Sequence, residues 1–481
     1  MSRHLLVLLV AGWLCQPAWP QTSDPPLSLD RFGLLVAAQS RPSFAVIGAG
    51  ARAAGMGGAF TALADDASAV SFNPAGLALL LTPEATVVFD GRSEHDGHSG
   101  FRVDREGSPE LYSPSSSEFE SGGVNFAAFT FPTTVADRNL SLQLSYHRLI
   151  DFAAGGRRSF LESPPGGPPA AAYQQTVDQS GAVYTLGLAA AYQLTQRLSL
   201  GLTLARWQGA WSFSSTTQET DLEDGTVASL RFDQDNEWSG WAASVGALLR
   251  YRYLNVGLAY RLPFEGSYHV SSRLRTTFEN PFAPSSRLGS RLKWPGSFTL
   301  GVAGKPLETW ILTADYAQYD WDDMVIRRSG EEALSFFDLL PKSQSRTEHR
   351  GQWRFGTEVT LLPGTHVVGL RAGYALEPRG ERLGQERSSP TTKVFALGVG
   401  WSHGGLAVDL AWQRSRTDKQ VPQFVDPDGS SAQEILTTAE AEVKSRADRL
   451  FLSVLYRFSS RDALGRFLHF LFVGPPEPGK S

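Results

Sequence analysis

The sequence predicts an all-β fold: a transmembrane antiparallel β-barrel of about 14 strands, closed around an N-terminal plug, or hatch, segment. Three observations carry this prediction. After residue 84 most of the chain alternates apolar residues with small or polar ones at period two. The connections between these stretches alternate between long ones, rich in Ser, Pro, Gly and charge, and tight ones such as Pro363-Gly364. Residues 48–80 break the pattern, concentrating small residues, paired acids and an Asn-Pro step.

The chain has 481 residues, long for one ordinary domain but within reach of a single closed barrel. Its net charge of −5 gives no basic footprint for nucleic acid, and 47 glycines with 11% aromatic residues suit a turn-rich β structure. Residues 1–20 read as a secretory signal peptide: Arg3 and His4 precede an apolar run, which ends in Gln16-Pro17-Ala18-Trp19-Pro20. Cys15, the single cysteine, would leave with it, so no disulfide or thiol chemistry is expected. No later apolar run reaches the roughly 18 residues of a transmembrane helix, so a membrane-spanning form must be a closed barrel.

Residues 21–83 are the predicted plug. Gly48, Gly50, Ala53, Ala54, Gly55, Gly57, Gly58 and Ala59 let backbone approach backbone closely. Residues 59–70 suit a short helix, and Pro74 ends it, so the chain turns at Asn73-Pro74-Ala75-Gly76. Residues 45–50 imitate the turn of a dinucleotide site, but no second helix or buried parallel strand follows to complete a βαβ unit.

Residues 84–458 are the predicted barrel. Leu198, Leu200, Leu202 and Leu204 share one face, against Ser199, Gly201, Thr203 and Ala205; Leu140, Leu142, Leu144 and Tyr146 repeat the pattern. A soluble sandwich would alternate too, and loop lengths break the tie. Long connections at 91–122, 153–180, 214–237, 321–350 and 417–446 alternate with short ones at 195–197, 363–364 and 403–404. That is the asymmetry of an outer-membrane barrel, whose even strand number returns both ends to the periplasm. Trp207, Trp211, Trp238, Trp241, Tyr260, Trp310, Tyr316, Trp321, Tyr374 and Trp401 fall near strand ends, where amphipathic rings favour the boundary between lipid and water. The last strand closes on Phe458, resembling the terminal signal read by the barrel assembly machinery, and residues 459–481 form a periplasmic tail.

With the apolar face outward, Arg250, Arg261, Asp315, Arg354, Glu358, Arg371, Lys393 and Asp409 point into the lumen. They serve there as charge pairs and solvated groups, or as a selectivity ring for an anionic solute. Of Asp65 and Asp66, one caps the turn at Ala67 and the other is solvated, or one pairs with Arg52 or a lumen arginine and latches the plug. Leu262 and Phe264, with Phe278 and Phe282 in the loop that follows, are candidates for an apolar ligand groove. Ser145 and His147 share a strand face about 7 Å apart, but no third group completes a hydrolase, and no histidine spacing suits a metal. Neither enzyme activity nor a cofactor is expected.

Gly50-Ala51-Arg52-Ala53, residues 55–60 with Gly57 and Gly58, Ala64-Asp65-Asp66-Ala67 and Asn73-Pro74-Ala75-Gly76-Leu77 together resemble the hatch of the FadL/OmpP1/TodX family of outer-membrane transporters. They are similar also to the related PorV-type barrels. The first resemblance implies passive uptake of hydrophobic compounds such as long-chain fatty acids or aromatic hydrocarbons across the bacterial outer membrane. Outer loops would capture the ligand, the hatch would shift near Asn73, Pro74 and Ala75, and the ligand would leave sideways through a gap in the wall. The partners are then a hydrophobic small molecule, outer-membrane lipid and lipopolysaccharide. A PorV-like barrel would instead dock or shuttle secreted proteins. Residues 140–152, the predicted third strand, contain no Gly or Pro to mark the kink behind the family's gap, and loop 214–237 is polar and acidic.

Overall fold

The computed structural model describes residues 47–105, 108–164, 166–276, 285–328, 330, 332–336, 341–343, 351–378, 390–422 and 440–459. The expected signal peptide, residues 21–46 of the expected plug, the tail beyond Ser459, and Phe278 and Phe282 lie outside the described residues.

From Glu84 the described chain is mostly strand. The first seven are β1 (Glu84–His98), β2 (Phe101–Arg105), β3 (Ser108–Tyr112), β4 (Ser115–Val135), β5 (Arg138–Asp151), β6 (Ala154–Ser163) and β7 (Ala171–Gln193). Next come β8 (Leu198–Asp221), β9 (Val227–Arg250), β10 (Leu254–Arg261), β11 (Phe264–Thr276), β12 (Ser285–Trp294), β13 (Ser297–Leu307) and β14 (Trp310–Tyr319). The remainder are β15 (Val325–Arg327), β16 (Leu334–Ser335), β17 (Gly351–Leu361), β18 (Val367–Pro378), β19 (Thr391–His403), β20 (Leu406–Pro422) and β21 (Glu440–Arg457).

Fourteen of these, β1, β4, β5, β7 to β10, β13, β14 and β17 to β21, pair antiparallel in succession. The ring closes where β1 pairs with β21, from Glu84 opposite Arg457 to His98 opposite Val443. Among the described residues each of the fourteen strands pairs with a neighbour on both sides, which is what a wall in lipid requires. Among the described residues no helix is long and apolar enough to cross a membrane.

Period two decides which way each side chain points. Leu200, Leu202 and Leu204 on β8, Leu142 and Leu144 on β5, and Leu186 and Leu188 on β7 are exposed on the outside. Ser199, Thr203 and Ala205 are buried within. The same outward belt continues through Val245, Leu258, Leu300, Leu312, Phe355, Leu370, Leu397 and Leu452. A continuous apolar band of this extent has no place in water; it is a membrane-facing surface.

Several expectations need correction. The stretches 91–122, 153–180 and 214–237 are not loops but largely strand: β1 to β4 cover most of the first, β6 and β7 most of the second, and the third is the top of the β8–β9 hairpin. Polar residues there still alternate and pair, as where Ser212 and Ser214 donate to Asp235 and Asp233 at 2.7 and 2.9 Å. Lys393 does not face the lumen: it lies on the exposed side of β19 with Phe395, Leu397 and Val399. It sits at the strand end, where outward positions have left the apolar band. Trp207, Trp211, Trp238 and Trp321 are not rim residues but are buried inside, whereas Trp241, Tyr260, Trp310, Tyr374 and Trp401 face outward.

Residues 47–80 lie inside the ring. A short helix, α1 (Ala51–Gly55), is followed by 3-10 turns at Ala67–Ser71 and Pro74–Leu79. The helix falls earlier than the 59–70 pattern suggests, because Gly57 and Gly58 at φ 65° and 79° stop it. This segment bonds to strands all round the barrel. Ala51 donates to Ser453 Oγ of β21 at 2.7 Å, and Gln413 of β20 reaches the Ala54 carbonyl at 2.9 Å. Across the lumen, Asn255 of β10 donates to Ala62, and Gln143 of β5 to Ala67.

The third wall strand is interrupted without the help of Gly or Pro. Pairing of β4 with β5 stops at Phe126 opposite His147, and the register of β5 on β7 slips between Arg148 and Ile150. The skipped residue, Leu149, turns its carbonyl to the Ile47 amide of the internal segment at 2.9 Å. A partner supplied from inside takes the place of a neighbouring strand.

Candidate functional site: a stoppered lumen

Two devices hold the internal segment in place. The first is a chain of charges. Arg52 of α1 donates from Nε and Nη2 to both oxygens of Glu358, each at 2.8 Å, and from Nη1 to Asp65 at 2.5 Å. Glu358 of β17 also accepts from Arg371 of β18 at 2.5 Å, and Arg371 reaches Asp409 of β20 at 2.6 Å. Planar, bidentate pairing of this kind fixes orientation as well as distance. Asp66 caps the first 3-10 turn through the Ser68 amide at 2.8 Å. Asp315 of β14 accepts from the Phe60 and Thr61 amides at 3.0 and 2.9 Å, so a wall carboxylate caps a turn of the segment.

The Asn-Pro step is equally committed. Asn73 is fully buried; its Oδ1 accepts from the Ala75 amide at 3.1 Å, and its Nδ2 donates to Thr61 and to Ala247 of β9, both at 3.0 Å. One side chain thus caps the Pro74–Leu79 turn, ties it to the rest of the segment and hooks it to the wall.

The second device is an absence of side chains. On inward positions of β8, β9, β10, β13, β17, β18 and β19 stand Gly201, Gly246, Gly257, Gly301, Gly356, Gly373 and Gly398. A Cβ on any of them would come within 3.0 Å of the internal segment. Gly201 and Gly246 meet the Asn73-Pro74-Ala75 turn, and Gly373 meets Met56 and Gly57. Sequence reasoning assigned closeness to the glycines of the segment and missed their partners in the wall. The signal was present as glycine recurring at inward parity on neighbouring strands.

A cavity of ≈ 220 Å³ lies between this segment and the wall, bounded by Gly57, Thr61, Phe72 and Pro74 on one side and by Arg261, Arg354, Glu377 and Arg449 on the other. Arg354 is held by Glu377 at 3.3 Å and Gln352 at 2.7 Å. A smaller cavity of ≈ 50 Å³ adjoins it, sharing Val70, Ser71, Ser244 and Arg261, and leads to His147 and the interrupted strand at Leu149. Ser145 donates to the Gly187 carbonyl, not to His147. Arg250 shares the inward face of β9 with buried Leu248.

Beside the cavities the lumen is aromatic. Trp238 stacks on Trp294 at 5.3 Å and on Phe264 at 5.6 Å, Trp207 meets both Phe264 and Trp294, and Phe152 lies 4.5 Å from Trp211. The Arg261 guanidinium sits over the Trp207 ring at 5.5 Å. Of the expected groove residues, Phe264 joins this cluster while Leu262 faces outward, 40% exposed.

Among solved structures, a FadL homologue from Pseudomonas aeruginosa superposes with a TM-score of 0.59, covering 87% of this chain and 100% of its own at 14% identity. The chain has a FadL-type fold. The toluene transporter TodX of Pseudomonas putida gives 0.56 over 86% of this chain and 99% of its own, again at 14% identity. CymD, a monoaromatic hydrocarbon channel, gives 0.50 over 86% and 98% at the same identity. Residues 36–98 match the model of an uncharacterised protein family, UPF0164, and no curated protein matches the chain. The matched stretch takes in α1, both 3-10 turns and β1 of the FadL-type fold, so it spans the internal segment and its first wall strand.

Proposed function

We propose that this chain is a bacterial outer-membrane channel for passive uptake of hydrophobic compounds, long-chain fatty acids or aromatic hydrocarbons, and that residues 47–80 are its hatch. The observation that carries the reading is a closed barrel whose lumen is stopped from within and lined beside the stopper by stacked tryptophans. Three similar folds, a FadL homologue, a toluene transporter and a monoaromatic hydrocarbon channel, support the same reading.

An apolar solute gains free energy roughly in proportion to the apolar surface it hides from water. A route along tryptophan rings and out through the wall keeps that surface covered, where a straight water-filled pore would not. The adjoining cavities run from the hatch to the interrupted strand at Leu149, which supplies a sideways exit. Movement of the Asn73-Pro74-Ala75 turn would enlarge this path. Arg261 beside Trp207 suits a molecule with an anionic head and an apolar body, while a neutral hydrocarbon would use the rings alone.

The test is uptake into liposomes holding the purified protein, with labelled oleate and labelled toluene as separate substrates. Faster entry of either than into protein-free liposomes supports the proposal. No entry of either, together with a polypeptide that stays bound through purification, would favour the docking role.

A further inference from the structure

The wall has a second weak place, on the seventh, eighth and ninth strands of the ring. β10 and β11 are separated by Leu262-Pro263, and β12 and β13 by Pro295-Gly296. These two interruptions stand opposite each other, flanked by Arg261 paired with Ser297 and Phe264 paired with Trp294. Next to them, Asp320 to Met324 separates β14 from β15 with a 3-10 turn.

Across the seam itself the register is kept, two residues facing two, while the strands on either flank slip, by one residue on the β9 side and by two on the β14 side. Between Arg261 opposite Ser244 and Gly266 opposite Gly240, four residues of one strand face three of the other. Between Ser297 opposite Tyr319 and Lys293 opposite Val325, three face five. Pro263 and Pro295 have no amide to donate, so the ladder cannot be completed across the seam.

Each strand also changes face there. Below the seam, buried positions run Asn255 on β10 and Ala303 on β13, at odd numbers; above it they run Tyr268 and Val270, and Leu292 and Trp294. The change turns Phe264 and Trp294 inward. They meet Trp207 and Trp238 within 5.6 Å, and Trp321 of the third interruption lies 6.1 Å from Trp294. Outside, Tyr260 and Leu262 are exposed at the outer margin of the apolar band, and Glu265 pairs with Arg291 and Arg327 just beyond them. Inside, the ≈ 220 Å³ cavity is lined by Arg261, Ser297 and Tyr319, the residues that border the seam.

From this arrangement we infer that the seam between Leu262-Pro263 and Pro295-Gly296 is a second lateral doorway, through which an apolar molecule passes between the lumen and the outer leaflet. Phe264 and Trp294 form its leaf. The inference rests on the uptake reading and adds to it a route distinct from the interruption at Leu149. Aromatic rings suit a leaf because they can swing about χ1 and still shelter an apolar guest, and because their mutual stacking restores the closed state.

The experiment places a photoreactive benzoylphenylalanine at Leu262, and separately at Phe395, which is outward-facing on the uninterrupted β19. Labelled oleate, enclosed at first on the far side of the liposome wall, is followed during transport. Labelling at Leu262 that precedes and exceeds labelling at Phe395 severalfold is the expected result, and Trp294→Ala should accelerate it. Should Trp294→Ala fail to assemble, Phe264→Leu tests the same leaf. Equal labelling at both positions during active uptake overturns the doorway while leaving the uptake reading intact. No uptake at all removes both.

Discussion

Removing Arg52 tests how the internal segment is held. Arg52→Ala deletes two 2.8 Å bonds to Glu358 and one 2.5 Å bond to Asp65. Breaking a buried ion pair by deleting one partner costs about 3–5 kcal/mol. Here the figure must be lowered: Glu358 keeps Arg371 at 2.5 Å, and the Asp65 side chain is 34% exposed and can rehydrate. A loss of about 2–3 kcal/mol in the seating of the segment remains, which raises its unseated population about 30- to 140-fold. Hydrogen exchange in nanodiscs reads this directly at the Phe60 and Thr61 amides, which are bonded to Asp315 and have no strand partner. Their exchange should quicken by that factor while wall amides such as those of β8 stay protected. Open probability in planar bilayers should rise in parallel, and Arg52→Lys, which keeps charge but not the planar fork, should fall between. Unchanged exchange at Phe60 and Thr61 in a properly assembled Arg52→Ala barrel would show that the charge chain holds nothing.

Three further outcomes follow from the same geometry. Gly373→Val places methyl groups where Met56 and Gly57 lie, a cost of about 1–3 kcal/mol or more that falls on the segment and not on the ring, so conductance should rise in a barrel that still resists detergent; Gly304→Val, with nothing within 4 Å, should be silent in the same recordings. Leu202→Arg on the membrane face should cost about 2–4 kcal/mol in urea titration in lipid, and Gln174→Arg, exposed beyond the apolar band on β7, under about 0.5 kcal/mol. Hydrogen bonds from Lys293, at 2.8 Å, and from Lys342 hold the Asp323 carboxyl down to about 2, so their stabilisation is present above the ordinary carboxyl range and lost as pH falls from about 4 through 2. Exchange at Trp321 to Met324 should therefore quicken across that window, and Asp323→Asn should abolish the dependence.

The wall was legible because lipid imposes one simple demand, an apolar residue at every second position. The fourteen-strand ring and the outward leucines of β5 and β8 follow from it. Where that demand ends, so does the legibility. β8 and β9 continue well beyond the apolar band, held by polar cross-strand pairs that read in sequence as loop, and Lys393 stands at such a margin. Tryptophan is ambiguous for another reason: its ring is at home both at a membrane boundary and in a lumen, and only the parity of Trp207 and Trp211 with Ser199 and Thr203 distinguishes them. The interruption at Leu149 carried no Gly or Pro, and the group that pairs its free carbonyl, the Ile47 amide, lies about a hundred residues upstream. Asp65 beside Arg52 was one of two readings open in sequence; the onward link to Glu358 spans 306 residues, and Arg371 and Asp409 join it from two further strands, 13 and 38 residues along, beyond the reach of local pattern.

The bare inward positions of seven strands bear on the order of assembly. A tube whose inner surface has been cut to the outline of its own leading segment is hard to close first and fill later, because every point of fit touches a different stave. Ala51 is bonded to the last stave, β21, which also seals against the first. On that reasoning the leading segment, made before any stave exists, would serve as the mandrel on which the cylinder is rolled. Deleting it should trouble the making of the protein before it troubles any traffic through it.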